Sequence, residues 1–387
     1  MSALLTVENL SKTFVSSGGL FGRSKSARVV TDVSFSLQRG DVFALVGESG
    51  SGKTTIGRML LRLIEPDSGN VSFDGIDVRG LAPDALRRLR RRIQIIFQDP
   101  FGSLDPRVRI GAAIAEPITL HRLRPSHQVA DRVAELLSLV GLDASHAQRY
   151  PHEFSGGQRQ RVAIARALAV EPELIVCDEP VSALDLSVQA QVVNLLSSLR
   201  ARLGVSYVFI SHDMAVVRHL ATHVGVLYAG RLVETGPSES IFADPRHPYT
   251  RMLLAATPSP VPGATRSRDA IIGEPPSPYA DWSQCRFASR CAYRIEACLA
   301  ADPPLTAARL SVCSVCSVSS PAAPLCRRFI CFLPFLQPRT LHSAAQQKDR
   351  HRSLIPVPYD PCSGDSISNR IGRLTIPPST ALRPGIC

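Results

Sequence analysis

Residues 47–54 read Gly47-Glu48-Ser49-Gly50-Ser51-Gly52-Lys53-Thr54, a full match to G-x-x-x-x-G-K-[ST]. The apolar run Val42–Val46 precedes it and a helical stretch from Thr54 follows, the strand–loop–helix setting that the pattern requires. Glycines in such a turn let consecutive backbone N–H groups point at phosphate oxygens, and the helix N-terminus adds a favourable dipole. Lys53 would then reach the β- and γ-phosphates as a point charge, and Thr54 would offer its hydroxyl to Mg2+ with Thr55 close by. A second apolar run, Leu174-Ile175-Val176-Cys177, ends in Asp178-Glu179 and delivers two carboxylates to the strand end at which open α/β sheets bind ligands. Asp178 is placed to hold Mg2+ and Glu179 to polarise an attacking water. A third segment, Ser155-Gly156-Gly157-Gln158, carries a serine at an N-cap position and two glycines that allow close backbone approach. It reads as a second anion-binding helix start, one without a lysine.

These residues need a scaffold that holds several strand ends side by side. Val42–Val46, Leu174–Cys177 and Tyr207–Ile210 are short and wholly apolar, the pattern of parallel strands buried on both faces. Helical stretches at Thr54–Leu63, Gln128–Val140, Gly157–Ala169 and Val188–Leu203 alternate with them, so residues 1–257 read as an α/β domain. The arginine-dense stretch Ala85–Arg92 reads as a solvated helix face rather than a nucleic-acid patch. A linker rich in Pro, Ser and Gly is expected from Pro258 to Tyr279, and a short Cys- and Arg-bearing segment runs from Cys285 to about Leu305. Beyond it the chain shows no sustained helical or strand period, and ten of its 30 prolines lie there, so 306–387 reads as a disordered tail.

Composition narrows the classes. With 44% hydrophobic and 20% charged residues in 387, most of the chain can bury a core. No apolar run reaches the roughly 18 residues of a membrane span, and the N-terminus lacks the pattern of a secretory signal, so a cytoplasmic protein is expected. The net charge of +11 suggests nucleic acid, but six of those charges belong to residues 311–387, and the balance elsewhere is ordinary for an enzyme. Ten cysteines without a signal point to thiols or metal ligands rather than a disulfide framework.

The order of the phosphate loop, Gln98, Ser155-Gly156-Gly157-Gln158, Asp178-Glu179, Ser182-Ala183-Leu184-Asp185 and His212 resembles the ATPase subunit of an ABC transporter. The resemblance implies a P-loop NTPase with a RecA-like α/β core, an antiparallel β subdomain and an α-helical subdomain at about 100–160. It implies ATP and Mg2+ as ligands, and two subunits paired head to tail so that the Ser-Gly-Gly-Gln of one closes the ATP of the other. It further implies that Phe14 stacks on adenine, and that Gln98 contacts Mg2+ and the attacking water and responds to a membrane subunit. Asp185 would lie in the loop linking the two active sites, and His212 would contact the γ-phosphate.

Phe97–Arg107, Tyr150–Phe154, His247–Arg251, the insertion Gly18–Ala27, Gly273–Pro278, Cys285-Arg286-Phe287 and Arg290-Cys291 are similar to the oligopeptide/dipeptide importer branch, which also serves nickel. That branch implies two membrane-spanning permeases, an extracytoplasmic binding protein, a second ATPase subunit that is a copy or a paralogue, and a place on the cytoplasmic face of the bacterial inner membrane. Peptides are the first expected cargo, with nickel and glutathione behind, and no nucleic acid is expected. Cys285, Cys291 and Cys298 match the branch's C-terminal cysteines, and Cys313 is a candidate fourth, so a 4Fe-4S cluster or zinc stands beside a reading of plain thiols. The resemblance stops at about residue 305. The tail fits an unrelated extension, such as a shifted reading frame gives, or a native low-order segment. Two other readings are a soluble ABC ATPase acting on ribosomes or DNA and a metal-thiolate regulator. One phosphate loop and no sustained heptads argue against the first.

Overall fold

The computed structural model describes residues 3–16, 25–257, 273–274, 276–277, 279–280, 282–306 and 311–313. The chain starts with β1 (Leu5–Ser16), β2 (Lys25–Leu37) and β3 (Val42–Val46), then turns through the phosphate loop into α1 (Lys53–Leu60). Next come β4 (Ser68–Phe73), β5 (Ile76–Asp77), α2 (Pro83–Arg92) and β6 (Ile93–Ile96). Strands β2-β1-β4-β5 pair antiparallel as one sheet. Leu5, Val7 and Leu10 of β1, Val30 and Val33 of β2 and Val71 and Phe73 of β4 form its buried side, packed with Ile56, Met59 and Leu60 of α1. One face is apolar and the other open, the usual economy of antiparallel sheets.

A helical stretch follows: α3 (Pro100–Ser103), α4 (Ile110–Leu120), α5 (Val129–Leu139) and α6 (Gly156–Leu168), with short 3-10 turns at Ser126–Gln128, Ala144–Gln148 and Pro151–Glu153. Ile110, Ile114 and Ile118 of α4 recur at helical spacing and pack with Val133, Leu136 and Leu137 of α5 in one cluster with Val162 and Ala165 of α6. Helix α6 starts at a capping box. Ser155 Oγ accepts from Gln158 N, and Gln158 Oε1 accepts from Ser155 N at 3.0 Å. Such a cap is worth about 1 kcal/mol.

The remaining elements are β7 (Leu174–Asp178), α7 (Leu186–Leu203), β8 (Ser206–Ser211), α8 (Met214–Leu220), β9 (His223–Tyr228), β10 (Arg231–Pro237), α9 (Ser238–Ala243), α10 (Pro248–Ala256), α11 (Ala297–Ala300), β11 (Leu305–Thr306) and β12 (Ser311–Cys313). The second sheet runs β11-β12-β10-β9-β3-β8-β7-β6, parallel from β9 to β6 and antiparallel at the β10 end. Every residue of β3, β7 and β8 is buried, as their unbroken apolar runs predict.

Two expectations change. Among the arginines of α2, Arg87, Arg88 and Arg91 are exposed, but Arg90 donates to the carbonyls of Leu61 and Arg62, and Arg92 pairs with Glu173 and Asp74. That face is therefore only partly solvated; two of its guanidiniums cross-link α1 and the two sheets. The patterned chain also does not stop at residue 305, because Thr306 lies in β11 and Ser311–Cys313 form β12, paired with Glu234 and Thr235 of β10. An edge strand of three residues is too short to leave a period in the sequence. Most of the insertion Gly18–Ala27, most of the linker Pro258–Tyr279 and the tail beyond Cys313 lie outside the described residues.

Candidate active site

Four adjacent parallel strands, β3, β8, β7 and β6, end on the same side, and each sends a candidate residue there. After β3, the loop 47–52 is fixed by close backbone approach. A Cβ on Gly47 would lie 2.1 Å from the Leu227 carbonyl oxygen, and one on Gly52, at φ +103°, would lie 2.5 Å from that of Val29. Lys53 opens α1 with its side chain buried, and its Nζ donates to the carbonyls of Gly47 at 2.7 Å and Glu48 at 2.9 Å. Burial lowers the Lys53 pKa, while the carboxylates of Glu179, Asp178 and Glu48 pull it back up.

Thr54 Oγ1 donates to Asp178 Oδ1 at 2.8 Å, which joins the start of α1 to the end of β7. Burial raises the Asp178 pKa, and the Thr54 hydrogen bond works against that rise. Glu179, one residue on, has φ +47°, a left-handed conformation that is uncommon outside glycine, and its N–H donates to Ile210 O at 3.1 Å. This turn of the backbone aims the carboxylate into the centre of the group. Glu179 Oε2 accepts from Gln98 Nε2 at 2.9 Å, and its Oε1 lies 3.4 Å from His212 Nδ1 and 3.9 Å from Lys53 Nζ. Residues from the four strand ends thus meet at one carboxylate.

Other candidates sit apart. Phe14, on β1, is 41% exposed, with Lys12 Nζ 5.6 Å from its ring centre. Ser155 is exposed at the N-cap of α6, and Gly157 is buried against α7, where a Cβ would lie 2.3 Å from Val188 Cγ1. Asp185 stands at the N-cap position of α7, without a side-chain capping bond, beside Leu186, a leucine left 80% exposed. Among the described residues, no hydrogen bond or ion pair joins Ser155–Gln158 or Asp185 to the Lys53–Glu179 group.

Of the two readings of the cysteines, the metal cluster finds no support among the described residues. Cys285 and Cys291 are half-buried against the main core and Cys298 is buried, with Cys285 N donating to Cys298 O at 2.9 Å. Among the described residues no three Cys, His, Asp or Glu side chains come together to hold a metal, and the side chain of Cys313 is outside them. Spacings of six and seven set the order of the thiols along the chain, not their convergence. Among the described residues the segment docks on the domain, and Cys285, Cys291 and Cys298 form no cluster there.

One part of the site has no motif. Arg290 grips both carboxylate oxygens of Glu48, at 2.8 and 2.9 Å, and the Glu48 N–H donates to Tyr249 Oη at 2.9 Å. The only hint in the sequence is that Arg290 and Tyr249 stand within the stretches that resemble the importer branch.

Comparison with known proteins gives the family. Residues 30–182 match the family model described as ABC transporter, and residues 233–298 match that of the oligopeptide/dipeptide transporter C-terminal region. A Brucella ovis protein named for peptide import and ATP binding is 50% identical over 306 residues, 79% of this chain and 95% of its own length. The di/tripeptide transport ATP-binding protein DppF of Pseudomonas aeruginosa is 45% identical over 305 residues, 79% and 94% of the two chains. Among solved structures, the ATP-binding cassette MJ0796, dimeric in a post-hydrolysis state with ADP and Pi, is 29% identical with a TM-score of 0.54, over 60% of this chain and 98% of that one. CbiO1 of Clostridium perfringens, part of the ABC transporter complex cbiONQ, is 26% identical with a TM-score of 0.55, over 63% and 92%.

Proposed function

Because this chain belongs to the ABC transporter family, in its oligopeptide/dipeptide branch, we propose that it hydrolyses ATP at the Lys53–Glu179 site to energise peptide import. The observation that carries this reading is the convergence of Gln98, His212 and Lys53 on the Glu179 carboxylate beside the phosphate loop. Glu179 accepts the proton of the attacking water, Gln98 orients that water, and His212 contacts the γ-phosphate. The N–H groups of Gly47, Ser49, Gly50, Ser51, Gly52, Thr54 and Thr55 cradle the phosphates, Lys53 adds its charge, and Phe14 stacks on the base. Most of the rate gain is positioning and electrostatic stabilisation.

Thr54, Asp178 and Gln98 offer the hard oxygen donors that fit Mg2+. The Thr54–Asp178 hydrogen bond already sets two of them side by side. Bound there, Mg2+ supplies charge neutralisation across the phosphate oxygens.

A second ATPase subunit, a copy or a paralogue, places its Ser155, Gly156, Gly157 and Gln158 over this nucleotide, and Asp185 links the two sites. The exposure of Ser155, Asp185 and Leu186 supports that pairing, as does the dimeric state of the MJ0796 relative. Two permease subunits and an extracytoplasmic binding protein complete the importer, with this chain peripheral on the cytoplasmic face of the inner membrane. Among the described residues no helix is long and apolar enough to cross a membrane. A groove of about 260 Å³, lined by Ile96, Phe97, Pro117, His121 and Arg166, has room for a few side chains of a permease.

Uptake of a labelled tripeptide by cells whose transporter carries Lys53→Ala in this chain tests the reading. Loss of uptake, with nickel and glutathione uptake unaffected in the parent's absence, supports peptide import. Unchanged peptide uptake contradicts it.

A further inference from the structure

A loop that binds phosphates gains nothing from a carboxylate of its own, yet this one carries Glu48 among its glycines. The structure shows what offsets that charge. Arg290, with only 2% of its side chain exposed, forms a two-pronged ion pair with Glu48 at 2.8 and 2.9 Å. Its guanidinium also lies 3.4 Å from Tyr228 Oη. The rest of Glu48 is equally tied: its N–H to Tyr249 Oη, and its carbonyl to Lys53 Nζ at 2.9 Å and Ser51 N at 3.2 Å.

The residues that hold Glu48 come from the far end of the chain. Tyr228 packs edge to face on Tyr249 and Phe287, which are tilted against each other, with ring centres 4.6 to 5.6 Å apart, and the three form a buried aromatic base beneath the pair. Arg286 fastens the same segment by donating to Ala229 O, with Trp282 stacked on it. A cavity of about 520 Å³ separates Ser49 and Gly50 from Ser277 and Trp282, so the C-terminal segment borders the loop on a second side.

We propose that Arg290 is a positioning residue for ATP binding, which neutralises Glu48 and holds the phosphate loop in its binding shape through that carboxylate. Without the guanidinium, Glu48 is an uncompensated negative charge within the cradle and repels the triphosphate. The C-terminal segment thereby becomes part of the nucleotide site rather than an appendage to it. The inference rests on the reading of this loop as an ATP site.

The test uses the full chain, with ATP binding by calorimetry and steady-state hydrolysis of Arg290→Gln, Glu48→Gln and the double variant. Arg290→Gln is expected to weaken ATP binding and raise KM about tenfold while kcat stays within about twofold. Adding Glu48→Gln is expected to restore affinity to within about threefold of the parent, because the repelling charge is gone. Parent-like affinity in Arg290→Gln, or a double variant as weak as the single, overturns the proposal, since a purely structural role gives no rescue. If Arg290→Gln does not fold, Arg290→Lys carries the test: it keeps the charge that offsets Glu48, so binding within about threefold of the parent supports the proposal, and binding about tenfold weaker overturns it. A parent chain that binds no ATP sinks the ATP reading itself, whereas a parent that binds ATP beside an unaffected variant sinks this inference alone.

Discussion

Gln98 Nε2 donates to Glu179 Oε2 at 2.9 Å, across 81 residues of sequence and two neighbouring strand ends. The bond occupies one carboxylate oxygen and leaves the other facing His212 and Lys53. The carboxylate is thus held in one orientation by a side chain that sits at the exposed mouth of the site. Gln98→Ala is expected to keep ATP affinity and slow turnover by about 10- to 100-fold, the usual cost of a misplaced reacting group. Single-turnover hydrolysis checks this, and an unchanged rate removes Gln98 from the reacting group.

Ser155 tests the paired arrangement. Ser155→Arg loses the α6 cap, at a cost of about 1 kcal/mol, and sets a bulky cation at an exposed helix start. The isolated chain should bind ATP with parent affinity, while turnover in the assembled transporter falls to background. Turnover that survives shows that the nucleotide is not closed by a second subunit's helix.

The strands, the phosphate loop and the acidic strand end were legible because each is written in consecutive residues. Val42–Val46 and Leu174–Asp178 are buried throughout, and their neighbours along the chain say so. The Arg290–Glu48 pair spans 242 positions and leaves no period, so spacing could not reveal it. Arg92 is similar: amid a run of arginines nothing marks it as the one that meets Asp74 and Glu173. The cysteines err the other way, since among the described residues a suggestive spacing is not realised as a cluster in space. Consecutive pattern reports local structure, and pairing across the fold has to be seen.

His247 should make the protein acid-labile. It is buried, its Nδ1 accepts from Tyr249 N at the start of α10, and burial depresses its pKa to about 3. The unfolded chain binds this proton near pH 6.5 and the folded chain does not. Stability from this residue is therefore complete above about pH 6.5 and falls toward pH 3, by at most about 1.4 kcal/mol per pH unit. Buried Glu234, whose raised pKa favours the folded state in acid, opposes part of the loss. Comparison with His247→Asn isolates the histidine. Denaturant melts of the variant should lose less stability between pH 6.5 and 4 than the parent. Parallel profiles contradict the assignment.

The end of the patterned chain can be located by truncation. A chain stopped after Cys313 retains β11 and β12 against β10, and should keep the ATPase activity and melting temperature of the full chain. Stopping at Pro304 uncovers the edge of β10 at Glu234 and Thr235. That shorter chain should melt several degrees lower and aggregate on heating. Equal melting of the two truncated chains would show that the edge strands contribute nothing.

Glu179→Gln bears most directly on the account. The amide still accepts the Gln98 hydrogen bond but cannot take up a proton from water. The account predicts that the variant binds ATP as the parent does, hydrolyses it at least about 100-fold more slowly, and elutes as an ATP-dependent dimer on size exclusion. Hydrolysis at the parent rate would contradict it, because the carboxylate on which Gln98, His212 and Lys53 converge would then not be the base.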